Sequence, residues 1–227
     1  MKTLNSTKQL IYPKVKSYRD TSPLWTYSLD WKNKDGLQIC FRTLLNACIK
    51  LPSSYENSFV LKDIFQDKKN ILIGTNRKVS AGKAIIEFMI SQLSQEGLIN
   101  SDSCFFIYPN HTPRKFNEVL EDNVPSTSYR FGSYCIKDGL IRWKNTLNKS
   151  IARTNKEHHK INFESEFNSL CLDIKRKIRD KTVIVIDDFT TTGLSFDATK
   201  NLLEKVDVDR VVLCAVGKYT RPYASYS

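Results

Sequence analysis

The stretch VIVIDDFTTTGLS at residues 183–195 constrains the fold more than any other part of this 227-residue chain. Val183 to Ile186 have the length and apolar composition of a buried strand. Two acids follow, then a threonine-rich loop with one glycine, then a helix expected over about Phe196 to Lys205. A buried strand leading through a polar loop into a helix is the unit of α/β folds with a mainly parallel sheet. Ligands in such sheets bind beyond the carboxyl ends of the strands, where this loop would lie.

The remaining patterning agrees with alternating strands and helices. Asn70 to Gly74 and Cys104 to Tyr108 read as short buried strands, and Val211 to Val216 as another. Ser80 is placed to cap a helix running to Glu96, with Ile86, Met89, Ile90 and Leu93 on one face and Gly97 at its left-handed end. Leu37, Cys40, Phe41, Leu44, Leu45 and Cys48 follow helical spacing and predict a helix over Leu37 to Leu51, closed by Pro52. Further helices are expected over about Arg114 to Glu121 and, from the apolar face Phe163, Phe167, Leu170, Cys171, Ile174 and Ile178, over 163–178. Tyr129 to Ile136 and Leu140 to Trp143 are strand-like pieces. Residues 1–35 have no sustained period and read as an irregular arm on the domain. The division expected is an extension or hood over 1–100 and a core over 101–227.

The loop after Ile186 has the chemistry of an anion site. Thr190, Thr191, Thr192 and Ser195 offer hydroxyl donors, and Gly193 lets the backbone approach closely. The following helix adds free amides and the positive end of its dipole. Asp187 and Asp188, just before it, can accept hydrogen bonds from the vicinal hydroxyls of a sugar bound beside the phosphate. The competing account is a strand end with solvated acids and a threonine-rich turn.

This segment resembles the ribose-phosphate signature of the type I phosphoribosyltransferases, which bind phosphoribosyl pyrophosphate (PRPP). Phe189 and Thr190 stand where that family more often has small aliphatic residues. A second segment, FFIYPNHTPRKFNEVL at 105–120, is similar to the strand and pyrophosphate loop of the ComF-like branch. There the amides of Asn110, His111 and Thr112, with Arg114 or Lys115, would hold pyrophosphate; an ordinary strand-to-helix turn is the alternative. A third, the basic run Lys149 to Lys160, resembles the mobile loop that closes over pyrophosphate in the family, with Arg153-Thr154 at its start, and competes with a solvated charge run.

The resemblance implies a phosphoribosyl transfer to an acceptor, with Asp187, Asp188 and Arg153 as catalytic residues. Thr190, Thr191, Thr192, Gly193 and Ser195 would hold the 5-phosphate. Magnesium would be bound through PRPP rather than by direct protein ligation. ComF relatives are linked to DNA uptake, and similar domains serve as effectors in anti-phage systems, including some retrons. A nucleic-acid-associated role is therefore the alternative function. The acceptor is not legible, because the hood that selects it would come from the N-terminal region or the tail.

The chain carries a formal charge of +11, which suits an anionic partner. Residues 142–182 hold 11 basic and 5 acidic side chains, making that region the candidate nucleic-acid surface. A protein partner or a second copy is left open. No apolar run approaches a membrane span and no secretory leader is evident, so a cytoplasmic location and no membrane contact are expected. Six scattered cysteines without a CxxC pair read as reduced thiols. RKVSAGKA at 77–84 imitates a phosphate-binding Walker loop but has Arg77 and Ala84 where glycine and a hydroxyl are needed. His158 and His159 are adjacent and cannot form a zinc pair on one helix face. The tail tyrosines Tyr219, Tyr223 and Tyr226 follow the strand after which the family places base-stacking residues.

Overall fold

The computed structural model describes residues 25, 27–46, 65–66, 70–73, 77–147, 162–172 and 175–218. The segment 183–186 is the middle of a longer strand, β9 (Thr182–Thr190), at the heart of a six-stranded sheet. With β1 (Tyr27–Lys32), β2 (Gln38–Asn46), β5 (Ser103–Ile107), β6 (Tyr134–Cys135) and β10 (Arg210–Lys218), the spatial order is β1-β2-β10-β9-β5-β6. Only the β1–β2 pair is antiparallel; β2–β10, β10–β9, β9–β5 and β5–β6 are parallel. β3 (Asn70–Ile73) and β4 (Arg77–Ser80) form a separate antiparallel pair, as do β7 (Ile141–Arg142) and β8 (Leu170–Cys171).

Helices cover both faces of the sheet. On one, α1 (Ala81–Gln95) buries Ile86, Met89, Ile90 and Leu93 against Cys40, Phe105, Ile107, Ile184, Ile186, Val212 and Cys214. Its ends are as expected: the Ser80 hydroxyl accepts from the Lys83 amide, and Gly97 has φ 68°. α2 (Glu118–Arg130) adds Leu120 and Val124 to this face. On the other, α4 (Leu194–Leu203) packs Phe196, Ala198 and Leu203 over Ile39, Phe41, Val183, Val185, Val211 and Leu213, beside the short α3 (Phe163–Phe167).

Three expectations are corrected. The helix predicted over Leu37 to Leu51 is strand β2 within its described part. Ile39 and Phe41 face one helical layer while Cys40 and Leu44 face the other, and all four are buried. A strand covered on both faces is apolar at nearly every position, so it can mimic helical spacing. Arg42 shares this buried strand because Asp30 and Glu96 hold its guanidinium at 2.6 and 2.7 Å. The long helix over 163–178 is instead α3, β8 and a 3₁₀ turn (Lys175–Ile178). The Ser169 hydroxyl donates to the Glu166 carbonyl at 2.6 Å, and the chain then turns into the pairing with β7. The helix expected over Arg114 to Glu121 starts only at Glu118, where the Asn117 side chain caps the amides of Val119 and Leu120, and it continues past Pro125 to Arg130. Tyr129 and Arg130 thus end α2, leaving Tyr134–Cys135 as the strand of that stretch.

Among the described residues no helix is long and apolar enough to cross a membrane. Cys40, Cys104, Cys135, Cys171 and Cys214 form no disulfide among the described residues. Burial pushes Cys104 and Cys135 up to about 12, which keeps them protonated and unreactive.

Candidate functional site

The parallel strands β5, β9 and β10 all end on the same edge of the sheet, and two loops meet there. The first follows β5. The Tyr108 amide still donates to the Ile186 carbonyl at 2.8 Å, after which the chain leaves the sheet and returns at Asn117. Asn110 closes this loop: its amide donates to the Lys115 carbonyl at 2.7 Å and its side chain to the Phe116 carbonyl at 2.9 Å. The Lys115 amide donates to Thr112, and the Arg114 amide to the Arg142 carbonyl. Pro113 has no amide hydrogen. Among the described residues, the His111 and Thr112 amides donate no hydrogen bond within the fold. Two consecutive amides, with the exposed Arg114 and Lys115 side chains beside them, give this turn the chemistry of an anion site. Asn110, expected to join that turn as a ligand, has its amide and side chain engaged in shaping it.

The second loop follows β9, which stays extended through both acids to Thr190. Asp187 and Asp188 therefore leave the strand on opposite faces. The Asp188 carboxylate accepts from its neighbour's amide, Phe189, at 2.6 Å, and from Asn117 Nδ2 at 2.9 Å. Asn117 uses its other side-chain atom to cap α2, so one residue joins the end of the first loop to the acid pair of the second. Asp187 accepts from the Asp188 amide at 2.8 Å, and its charge is felt by Tyr108, on the same face of the sheet as Asp187. Gly193 is the N-cap of α4 with φ 82°, a left-handed conformation that a side chain would strain, and it leaves the first turn of the helix without a side-chain cap. Thr192 is exposed, Thr191 half-buried, and Thr190 and Ser195 buried around that helix end. Arg153 and the rest of the basic run 149–160 lie outside the described residues, as do the tail tyrosines and both adjacent histidines.

Four residues at this edge have no site role assigned from the sequence: Asn117, Lys218, Arg142 and Tyr108. Asn117 carried a signal, since an asparagine before a helix is a cap; its second bond to Asp188 was not legible. Lys218 ends β10 directly opposite Thr190, is 5% exposed, and has its ammonium 4.6 Å from the Tyr27 ring centroid. Burial lowers its pKa. Arg142, counted above in the basic surface of 142–182, is not on the surface: it is 1% exposed and pairs with Glu166 at 2.7 Å, which removes it from any nucleic-acid interface. Tyr108 donates to the same carboxylate, and burial together with Glu166 holds its phenol well above the ordinary range.

Asn117 and Asp188 thus join the two-amide turn to the strand end that leads into α4. No protein-family model and no curated protein matches this sequence, which leaves the chemistry of these two loops as the ground for assigning a ligand.

Proposed function

We propose that the chain binds PRPP in a type I phosphoribosyltransferase-like fold and transfers the phosphoribosyl group to an acceptor. The Asn117–Asp188 bond carries this reading, because it ties the loop after β5 to the acid pair before the loop after β9, at adjacent parallel strands. The 5-phosphate would take the first-turn amides of α4 with the hydroxyls of Thr191, Thr192 and Ser195. The pyrophosphate would take the amides of His111 and Thr112 with Arg114 or Lys115. Asp187 and Asp188 would accept from the ribose hydroxyls and favour positive charge on the sugar ring. In the reaction the anomeric carbon–oxygen bond breaks, its electron pair leaves with pyrophosphate, and a lone pair of the acceptor, such as a base nitrogen, forms the new bond while the acceptor gives up a proton.

Magnesium fits this arrangement as a passenger of the substrate. Both oxygens of Asp188 already accept hydrogen bonds, so the substrate's own phosphate oxygens would be the ion's main ligands. When bound, the ion would neutralise charge on the pyrophosphate.

Calorimetric titration with PRPP and magnesium tests the reading. Saturable binding that weakens by about tenfold or more in Asp188→Asn is expected. No binding, or unchanged binding in that variant, would overturn it. One observation favours a second reading, nucleic-acid association. Trp143 is 58% exposed, with the Lys144 ammonium 4.8 Å from its ring centroid, and the nearby Thr146 amide donates to the His111 carbonyl. An aromatic ring beside cations is a platform for unpaired bases. Oligonucleotide binding with steep salt dependence and no heat from PRPP would select it instead.

A further inference from the structure

Arg142 is the most deeply buried cation among the described residues, and it touches the two-amide turn twice. Its Nε donates to the Asn110 carbonyl at 2.6 Å, and its own carbonyl accepts from the Arg114 amide at 3.3 Å. Arg114 has φ 55°, in the left-handed region that a non-glycine residue adopts only when its surroundings hold it there. The Arg142 guanidinium is itself fixed on its other edges. Nη2 donates to Glu166 at 2.7 Å and to the Tyr108 hydroxyl at 3.2 Å, and Nη1 donates to the Ser169 hydroxyl. Tyr108 donates in turn to Glu166, and its ring lies 5.8 Å from the guanidinium carbon. Glu166 is 3% exposed. A buried ion pair of this kind is weak evidence for a contribution to stability, since apolar residues of similar volume often do as well. Its placement has a more specific consequence. Two of its bonds end on the backbone of the turn, one on each side of His111 and Thr112.

We infer that Arg142, clamped by Glu166 and Tyr108, is a positioning residue that holds the His111 and Thr112 amides in the shape that receives a pyrophosphate-type anion. This rests on the proposed function for the identity of the anion. The two bonds to the turn end on the loop after β5, whereas the 5-phosphate subsite is built from the loop after β9, so ribose 5-phosphate binding is expected to change far less than pyrophosphate binding.

The test uses the full chain and two variants. Arg142→Lys keeps the charge for Glu166 but loses the planar fork that reaches Asn110. The combined variant Arg142→Met, Glu166→Leu and Tyr108→Phe replaces the whole cluster with apolar groups and leaves no unpaired charge behind. Each protein is titrated with inorganic pyrophosphate and, separately, with ribose 5-phosphate. In both variants pyrophosphate affinity is expected to fall about tenfold or more, with ribose 5-phosphate affinity held within about twofold. Amide hydrogen exchange over 109–116 should quicken in the combined variant while its thermal midpoint stays near that of the parent. Parent-like pyrophosphate binding in a folded variant overturns the inference, and so does an equal loss for both ligands. A parent that binds ribose 5-phosphate but not pyrophosphate overturns it while sparing the other subsite. A parent that binds neither defeats the proposed function itself. Exchange then decides the positioning claim alone, which falls if exchange over 109–116 is unchanged.

Discussion

Among the described residues, Asp197 carries a clear energetic cost. It lies in the first turn of α4 at 2% exposure, and neither carboxylate oxygen has a hydrogen-bond partner. Burial pushes its carboxyl up to about 6; Lys200, one turn on, pulls the other way, and Glu204 adds to the rise. The ordinary value is 3.8. Below that both the folded and unfolded chains are protonated here, and the group costs nothing. Between pH 4 and 6 the folded chain keeps a proton that the unfolded chain has released, so a penalty builds at about 1.4 kcal/mol per pH unit. It levels off above pH 6 at roughly 2–3 kcal/mol. The helix dipole returns about 0.3–1 kcal/mol to an acid at this end. Asp197→Asn should therefore raise unfolding stability by roughly 1–2 kcal/mol at pH 7.5, with the gain fading as pH falls towards 4. Urea unfolding of both proteins at pH 4.5 and 7.5 measures this, and a gain that does not depend on pH would refute the buried-charge account. None of this was legible beforehand. An aspartate in a first helical turn reads as a favourable surface acid, and only the position of α4 against the sheet buries it. The same limit hid Arg142, whose sequence neighbours Trp143 and Lys144 are exposed.

Elements whose apolar residues cover one face were read with fair accuracy, and those covered on two faces were not. α1 shows the first case, with its cap, core face and terminal glycine all where the spacing of residues 80–97 put them. β2 shows the second, because burial on both sides erases the alternation that marks a strand. Residues 163–178 fail for a different reason. Their apolar spacing suits a helix, yet the buried demands of Arg142 are met by Glu166 and Ser169, and satisfying them breaks the helix after Phe167. Packing between elements also overrides propensity at Gly82, in the first turn of α1. A Cβ there would lie 2.4 Å from Val119 Cγ1 on α2 and 2.5 Å from the Phe65 carbonyl oxygen. Helix propensity alone predicts that Gly82→Ala stabilises by about 1 kcal/mol. The close approach predicts the opposite, a loss of roughly 1–3 kcal/mol as α1 and α2 are forced apart. The sign of the change in chemical denaturation decides between them. Because Asn117 caps α2, the same variant should also weaken ligand binding at the site.

At the scale of the whole molecule, the sheet joins residues that the sequence divides. An extension over 1–100 and a core over 101–227 follow from where the nucleotide-type motifs fall, yet β1 and β2 continue the main sheet beyond β10, and α1 covers one face of it. A chain of residues 101–227 alone would lose β2 from the edge of β10, leaving a long apolar strand, Val211 to Val216, with unpaired backbone groups. It would also lose Ile86, Met89, Ile90 and Leu93, each 0% exposed, from above Ile184, Ile186, Val212 and Cys214. At about 1.5–3 kcal/mol for each buried side chain, those four alone are worth roughly 6–12 kcal/mol. That is comparable to the whole stability of an ordinary domain, about 5–15 kcal/mol. The fragment 101–227 is therefore expected to lack a cooperative thermal transition and to aggregate through the exposed edge of β10, whereas the full chain unfolds in a single step. Circular dichroism melting and size-exclusion chromatography of the two proteins make the comparison. A fragment that is monomeric and melts cooperatively would show that the first hundred residues are an addition to an independent core, and would separate the site on β5 and β9 from the strands that now support it.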